Sequence, residues 1–462
     1  MPGRIDFTLD FNTPGTTGAK CNKDTHYRVY VLGSFSGRRD EPWEQRKITA
    51  INIDNFEQVM ARIKPTLIID GGFRLVFENP DDFHPDSWLQ KIPILDDLLA
   101  LKRQLSNPNT AEQAAAKIKA FLPVEIQPEK PVAAQAATET QEQTLERLLG
   151  RKPETTVAEP DTVERLLQQV VSPHVSKASE PQYRALINII DATVNEYLRM
   201  LLHRQDFQRL ESLWKATAGL VNEESADEQS FFLIDIDQDE LLAELKSGQC
   251  VFEQKLLKHI QSGDGEQEVL LIGDYRFSDS ADDGELLGLC SRLANACKGY
   301  FLAAADGSLI TNAISGESGH AQKWKLYLSQ ICADSVILAY PRYLLRLPYG
   351  VKRGAIETLA FDECSTIPQS GELLWGNPAF LSARVLIRAS QQQNAEDPFF
   401  FGDIPCFAFE SDGEQVLQPG AELAMTENQA NVLLSKGIAP VTGYHQRQGV
   451  RLLALTTLSD FV

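Results

Sequence analysis

Three aspartates, Asp235, Asp237 and Asp239, alternate in FFLIDIDQDE with the spacing that opens a calcium loop. Such a loop needs glycine at its sixth position for the sharp turn and a bidentate carboxylate at its twelfth to close the oxygen shell. Counting from Asp235, those positions hold Glu240 and Lys246, so the stretch reads as a strand end leading into a capped helix, with no metal. Leu271-Ile272-Gly273-Asp274 has the form of a strand end that could present a carboxylate to a ligand. No glycine-rich phosphate loop, neither G-x-G-x-x-G nor G-x-x-x-x-G-K-[ST], accompanies it, and Asp274 is expected in a turn. Gly33-Ser34-Phe35-Ser36-Gly37 carries Phe35 where a nucleophile elbow needs its serine, which disfavours a hydrolase. The seven histidines, at 26, 84, 174, 203, 259, 320 and 445, form no H-E-x-x-H pair, and His84 reads as part of a turn before Pro85. Seven cysteines are scattered and odd in number, without a C-x-x-C pair, so reduced, mostly buried thiols are expected instead of a disulfide framework or zinc site. No catalytic, cofactor-binding or metal-ligating residue is assigned, and no cofactor is expected.

The elements that hold these residues belong to a globular chain. With 462 residues, 43% hydrophobic and 23% charged, there is enough material for two or three domains and a sizeable core. The formal charge of −20 argues against a nucleic-acid partner and favours solubility or a basic protein partner. Apolar runs such as 269–273 fall far short of the ~20 residues that span a bilayer. The N-terminus MPGRIDFTLDF lacks an apolar signal core, so a cytoplasmic location without membrane insertion is expected.

Along the chain, a polar arm to about Lys23 precedes a β-rich run, 26–35, and a strand at 47–53. Asp54 is read as the cap of a helix through Ile63, ended by Pro65, and 66–78 as a hairpin around Gly71-Gly72. Residues 81–105 read as helix in two pieces broken at Pro93, and 110–121 as a further helix. From Val124 to about Pro181 the composition shifts to Pro, Ala, Glu, Gln and Thr, which buries too little apolar surface to order a chain. Two islands of a T-x-E-R-L-L repeat interrupt it, TLERLL at 144–149 and TVERLL at 162–167. Helices this short need a partner surface. Beyond the linker, helices are expected at 183–203, 207–221, 238–245, 250–260, 285–297 and 323–331. Strands are expected at 231–236, 269–272, 300–304, 335–338 and 451–458. This alternation argues for an α/β sheet layered by helices.

Two punctuated apolar blocks, LLRLPYG at 344–350 and LLWGNPAF at 373–380, frame a region of packing and turns. The pair resembles the large sheath subunit of type VI secretion systems, the TssC or VipB family. RQDFQRLESLWKATAGLV at 204–221 is similar to another signature of that family, and Gly273-Asp274-Tyr275 to its GDYxF turn. The N-terminal region resembles the small sheath subunit, the TssB or VipA family. It does so through Val31-Leu32-Gly33 with Phe35-Ser36-Gly37, Asp54-Asn55-Phe56 with Val59-Met60-Ala61, and Asp81-Asp82-Phe83-His84-Pro85-Asp86. Ser34 stands where that family usually carries Asp.

The resemblance implies an α/β (α+β) fold in which two sheath-like α/β portions, joined by a flexible linker, pack into one protomer. The portions are residues 1–124, small-subunit-like, and 182–462, large-subunit-like and shortened at its C-terminus, with 125–181 as linker. It further implies a structural, non-enzymatic role around an inner tube, with other sheath protomers or baseplate proteins and the inner tube protein as partners. An accessory module that does not itself polymerise is the alternative. Large subunits carry a short helix gripped by an AAA+ unfoldase of the ClpV kind, and Leu145, Leu148 and Leu149, or Val163, Leu166 and Leu167, would supply its apolar side. Terminal segments in the family add strands to neighbouring protomers, and Ile5, Phe7, Leu9 and Phe11 alternate as an added strand would. With the small-type C-terminus tied into the linker and no large-type extension after 451–458, the protein alone is expected as a monomer or short oligomer.

Overall fold

The computed structural model describes residues 26–121 and 180–461, apart from 38–39, 224–228, 263–266, 311–327, 329–330, 351–353, 365–367, 391–396, 412–413 and 445–446. Its strands are β1 (Tyr27–Gly33), β2 (Thr49–Ile51), β3 (Thr66–Ile68), β4 (Arg74–Val76), β5 (Ser230–Asp235), β6 (Glu268–Phe277), β7 (Tyr300–Ala305), β8 (Val336–Tyr340), β9 (Tyr343–Leu344), β10 (Trp375–Gly376), β11 (Phe400–Phe401), β12 (Phe407–Ser411), β13 (Glu414–Gln418), β14 (Ile438–Gly443) and β15 (Val450–Leu452). Its α-helices are α1 (Phe56–Ile63), α2 (Trp88–Lys91), α3 (Pro93–Leu105), α4 (Ala111–Phe121), α5 (Glu180–Leu202), α6 (Gln205–Val221), α7 (Gln238–Ser247), α8 (Val251–Gln261), α9 (Ala281–Ala296), α10 (Ala379–Ser390) and α11 (Glu427–Leu434).

Two compact units form. Of the described residues, one comprises those within 26–67, 74–87 and 199–461; the other comprises those within 68–73, 88–121 and 180–198. The first is built on a nine-stranded sheet in the order β11-β15-β14-β8-β7-β6-β1-β5-β2. Its centre, β5 to β14, is parallel, and β2, β15 and β11 add antiparallel edges. A parallel sheet is covered on both faces, so its strands read as unbroken apolar runs. YRVYVLG and EVLLIG are such runs, and all of β1 except Arg28 is buried. On one face Tyr30, Leu32, Leu271 and Phe301 pack with Leu241, Phe252, Leu256 and Leu286 of α7, α8 and α9. On the other, α10 lies against β6, β7 and β8 and against α6. The second unit is helical, and its buried Leu95, Leu98, Ala114, Ile118, Ile190, Val194 and Leu198 follow the helical repeat. Lys102 of α3 pairs with Asp191 of α5 at 2.6 Å.

The α/β class read from the sequence is what the structure shows, and the fold adds that β1 and β2 of the N-terminal region lie in the sheet of the C-terminal region. Several boundaries differ from expectation, each for a local reason. Asp54 does not cap α1: Asn52 and Asn55 each accept the other's backbone N–H, at 2.9 and 2.8 Å, and this closed turn puts Asn55 at the cap position. Residues 80–87 form 3-10 turns instead of helix, because Asn79 and Asp82 make a capping box around Pro80. Helix α9 starts four residues early, where the Ser280 hydroxyl accepts the Asp283 N–H at 3.1 Å. Strand β15 stops at Leu452: the Leu453 N–H still bonds in register to the Pro440 carbonyl, but Pro440 has no N–H to return and the ladder ends there. Asp274 is in no turn. Strand β6 runs through it to Phe277, and the register with β7 slips between Ile272 and Arg276 to absorb it. The helix expected at 323–331 lies mostly outside the described residues.

Candidate functional site

The sheath-like sequence blocks converge on α6. Its residues Phe207, Glu211 and Trp214 are spaced four and three apart, which places them on one helix face. Phe207 packs against Phe77 and Phe83 with ring centroids 6.1 Å away in both cases, and those two rings stack at 4.6 Å. The Trp214 indole donates its Nε1 hydrogen to the Phe35 carbonyl at 3.0 Å and lies edge-on to Phe35 and Phe56. The Ser212 hydroxyl donates to the Trp375 carbonyl at 3.0 Å, and the Gln208 amide to the Gly371 carbonyl at 2.9 Å.

Glu211 is fully buried and faces Arg346 of the RLPYG block. Arg346 donates from Nε and Nη2 to Glu211, at 2.8 and 3.2 Å, and from Nη1 and Nη2 to Glu363, at 2.7 and 3.1 Å. Glu363, 1% exposed, also accepts the Tyr349 N–H at 2.7 Å. The guanidinium lies 4.1 Å from the Tyr349 ring centroid. Burial opposes the charge on Arg346, but the two facing carboxylates outweigh it and hold its pKa well above the ordinary arginine value. His84 stands edge-on to the Tyr349 ring at 4.8 Å. Asp86 approaches the His84 Nδ1 at 3.4 Å and accepts the Glu357 N–H. A cavity of about 490 Å³ opens here, lined by residues including Asp81, His84, Lys215, Arg346 and Tyr349.

Asn377 of the WGNP block caps α10, its Oδ1 accepting the Ala379 N–H at 2.9 Å. Its Nδ2 donates to the Gly273 and Tyr275 carbonyls, at 3.4 and 3.1 Å, within the irregular stretch of β6 between Ile272 and Arg276. Burial raises the pKa of the intervening Asp274 to about 6, against the lowering effects of its bond to Asn377 and of Arg276 and Arg209. The order β5-β1-β6-β7-β8 reverses direction between β1 and β6, where open α/β sheets take ligands outside the strand carboxyl ends. Here that end is packed. A Cβ on Gly33 would meet Leu213 at 2.8 Å and the Asp274 Cβ at 3.2 Å.

The aspartate triplet is engaged in structure. Asp235 accepts the Ser36 N–H at 3.1 Å and lies 3.8 Å from Arg46. Asp237 caps α7 in a capping box with Glu240, whose carboxylate also takes two bonds from Arg46 at 2.8 and 3.0 Å. Ser34 sits partly buried directly after β1. The sequence residues assigned to partner binding, Leu145, Leu148, Leu149, Val163, Leu166 and Leu167 in the linker islands and Ile5, Phe7, Leu9 and Phe11 in the arm, all lie outside the described residues. The Glu211–Arg346–Glu363 cluster was missed by sequence reading, although a glutamate on the Phe207–Trp214 face of an amphipathic helix and an arginine inside LLRLPYG each called for a buried partner.

The motif residues Phe35, Phe83, Arg346, Trp375 and Asn377 all hold strands, helices and loops of this unit together. Residues 184–458, more than half the chain, match the family model described as EvpB/VC_A0108, tail sheath N-terminal domain. Residues 2–134 match the model described as Type VI secretion system, VipA, VC_A0107 or Hcp2. The chain belongs to the tail sheath family of type VI secretion systems, with a VipA-type part ahead of a VipB-type part. It is similar to the Type VI secretion system sheath protein TssC1 of Pseudomonas aeruginosa, with 26% identity over 295 residues. That match covers 58% of this chain and 59% of the relative's length. Among the described residues no helix is long and apolar enough to cross a membrane.

Proposed function

We propose that the chain is a structural, non-enzymatic component of a type VI secretion sheath or of an assembly attached to it, working in the cytoplasm by packing against its neighbours around an inner tube. The observation that carries this reading is the sharing of one sheet by the two sheath-like regions, since β1 from the first lies between β5 and β6 of the second. Residues 1–124 form the small-type portion, 182–462 the large-type portion, and 125–181 the linker between them. The partners are other sheath protomers or baseplate proteins and the inner tube protein. The arm residues Ile5, Phe7, Leu9 and Phe11 supply an added strand to a neighbour, through main-chain hydrogen bonds on an open edge. In cells with an active secretion system, a tagged copy of the chain is expected to co-sediment with sheath particles. Recovery only in the soluble fraction, with sheath particles present, would count against the proposal.

The linker islands serve an AAA+ unfoldase of the ClpV kind, with Leu145, Leu148 and Leu149, or Val163, Leu166 and Leu167, in the unfoldase's groove. Replacing Leu148 and Leu149 by serine is expected to abolish unfoldase capture while leaving the melting temperature unchanged. A lowered melting temperature with capture intact would mean that the island packs on its own protein.

A further inference from the structure

In the nine-stranded sheet β1 is an interior strand. It pairs with β5 from Arg28↔Ser230 to Gly33↔Asp235 and with β6 from Tyr27↔Glu268 to Leu32↔Gly273. Both partners belong to the region beyond residue 184, and among the described residues no pairing joins β5 to β6 directly. Without β1, the large-type region therefore has a slot one strand wide, with unpaired backbone groups on both walls and apolar side chains above and below. A slot of that kind is a binding site for one strand of matching pattern.

Here the slot is filled from within, and by more than main-chain pairing. Tyr27, Val29, Tyr30, Val31 and Leu32 are all 0–1% exposed. The chain after β1 is tied to the same walls. The Ser36 N–H bonds to Asp235, the Phe35 carbonyl accepts from Trp214, and Arg46 makes two bonds to Glu240. Lys255 of α8 donates to the backbone carbonyls of Glu44 and Arg46 and lies 5.5 Å from the Trp43 ring centroid. Releasing β1 breaks two ladders and these ties together, which is an opening of the core and not a local fluctuation. Covalent linkage adds an effective concentration of order mM, so a free competitor at μM concentration is outnumbered about a thousandfold even with equal intrinsic affinity.

We infer that this chain is closed to a separate small-type partner: its slot is permanently occupied by its own β1, and it enters any assembly as a complete one-chain unit with a fixed one-to-one ratio of the two portions. The inference rests on sheet topology and burial, and it holds whether or not the protein is part of a sheath. It is tested on the full chain with a protease site placed in residues 135–178. Two populations carry different tags at both ends. They are mixed after purification and cleaved, then held for days and captured through the C-terminal tag of one population. The expected result is recovery of that population's own N-terminal portion with less than about 5% of the other's. Comparable recovery of both N-terminal portions, or loss of the N-terminal portion on cleavage, would overturn the inference. A second arm co-expresses the two tagged chains before cleavage. Mixed pairs there would show that β1 is supplied in trans, which would also overturn it. Urea unfolding before capture must release the N-terminal portion, so that retention in the native sample reports pairing.

Discussion

Arg346 sits between two carboxylates in the protein interior, and removing one partner from such a cluster costs far more than the cluster itself contributes. Replacing Arg346 by methionine removes the guanidinium and its four bonds from between Glu211 and Glu363, and leaves Lys215, 3.8 Å from Glu211, as a more distant counter-charge. The expected loss is about 3–5 kcal/mol of unfolding free energy, read from urea denaturation. Combining Arg346→Met with Glu211→Gln and Glu363→Gln is expected to recover more than half of it, while a single-variant loss below about 1 kcal/mol would contradict the buried-cluster account. Asp274 works in the opposite direction. Its folded pKa is raised to about 6, above the ordinary carboxylate value, so the folded state binds this proton more tightly than the unfolded state does. Stability therefore falls as pH rises between about 4 and 6, by roughly 2–3 kcal/mol, and the cost persists at neutral pH. Asp274→Asn is expected to melt higher than the parent at pH 7.5, with the gap closing below pH 4. An equal gap at both pH values would show that the charge is not the cause. The sequence flagged Asp274 as a carboxylate at a strand end and could not show the irregularity that buries it, because the slip depends on β7, whose residues begin 26 positions later.

At the scale of elements, the type of each helix and strand was legible wherever period and punctuation agreed. FFLID and YFLAAA are apolar runs of strand length, and DFQRLESLWKATAGLV has a clear helical face. Ends were less legible, since Asn52 with Asn55 and the Ser280 hydroxyl compete with more obvious capping candidates. Strand neighbours were not legible at all. An unbroken apolar run announces burial on both faces of β1, but nothing in YRVYVLG says that its partners begin near residues 230 and 268. Helix α6 is the element that fixes the end of β1, through the indole of Trp214. Trp214→Phe keeps most of the ring packing with Phe35 and Phe56 and deletes the bond to the Phe35 carbonyl, leaving a buried acceptor unpaired. A loss of about 1–3 kcal/mol in thermal or urea unfolding is expected. No measurable loss would mean that this carbonyl finds another donor.

At the scale of the whole molecule, the resemblance carried by RLPYG, WGNP and DDFHPD extended to a family assignment that covers both halves of the chain. The physical roles of these blocks explain why they can be recognised. Arg346 and Asn377 each bond to segments distant in sequence, so their replacement would unpair groups in the interior, and His84 sets its ring against Tyr349. Gold-labelled electron microscopy of sheath particles from cells carrying a tagged chain tests the central claim most directly. The account predicts label along or at the end of tubular particles, with the full-length chain as the labelled species. Particles of normal length and number without label, while the tagged chain remains abundant in the same cells, would contradict it.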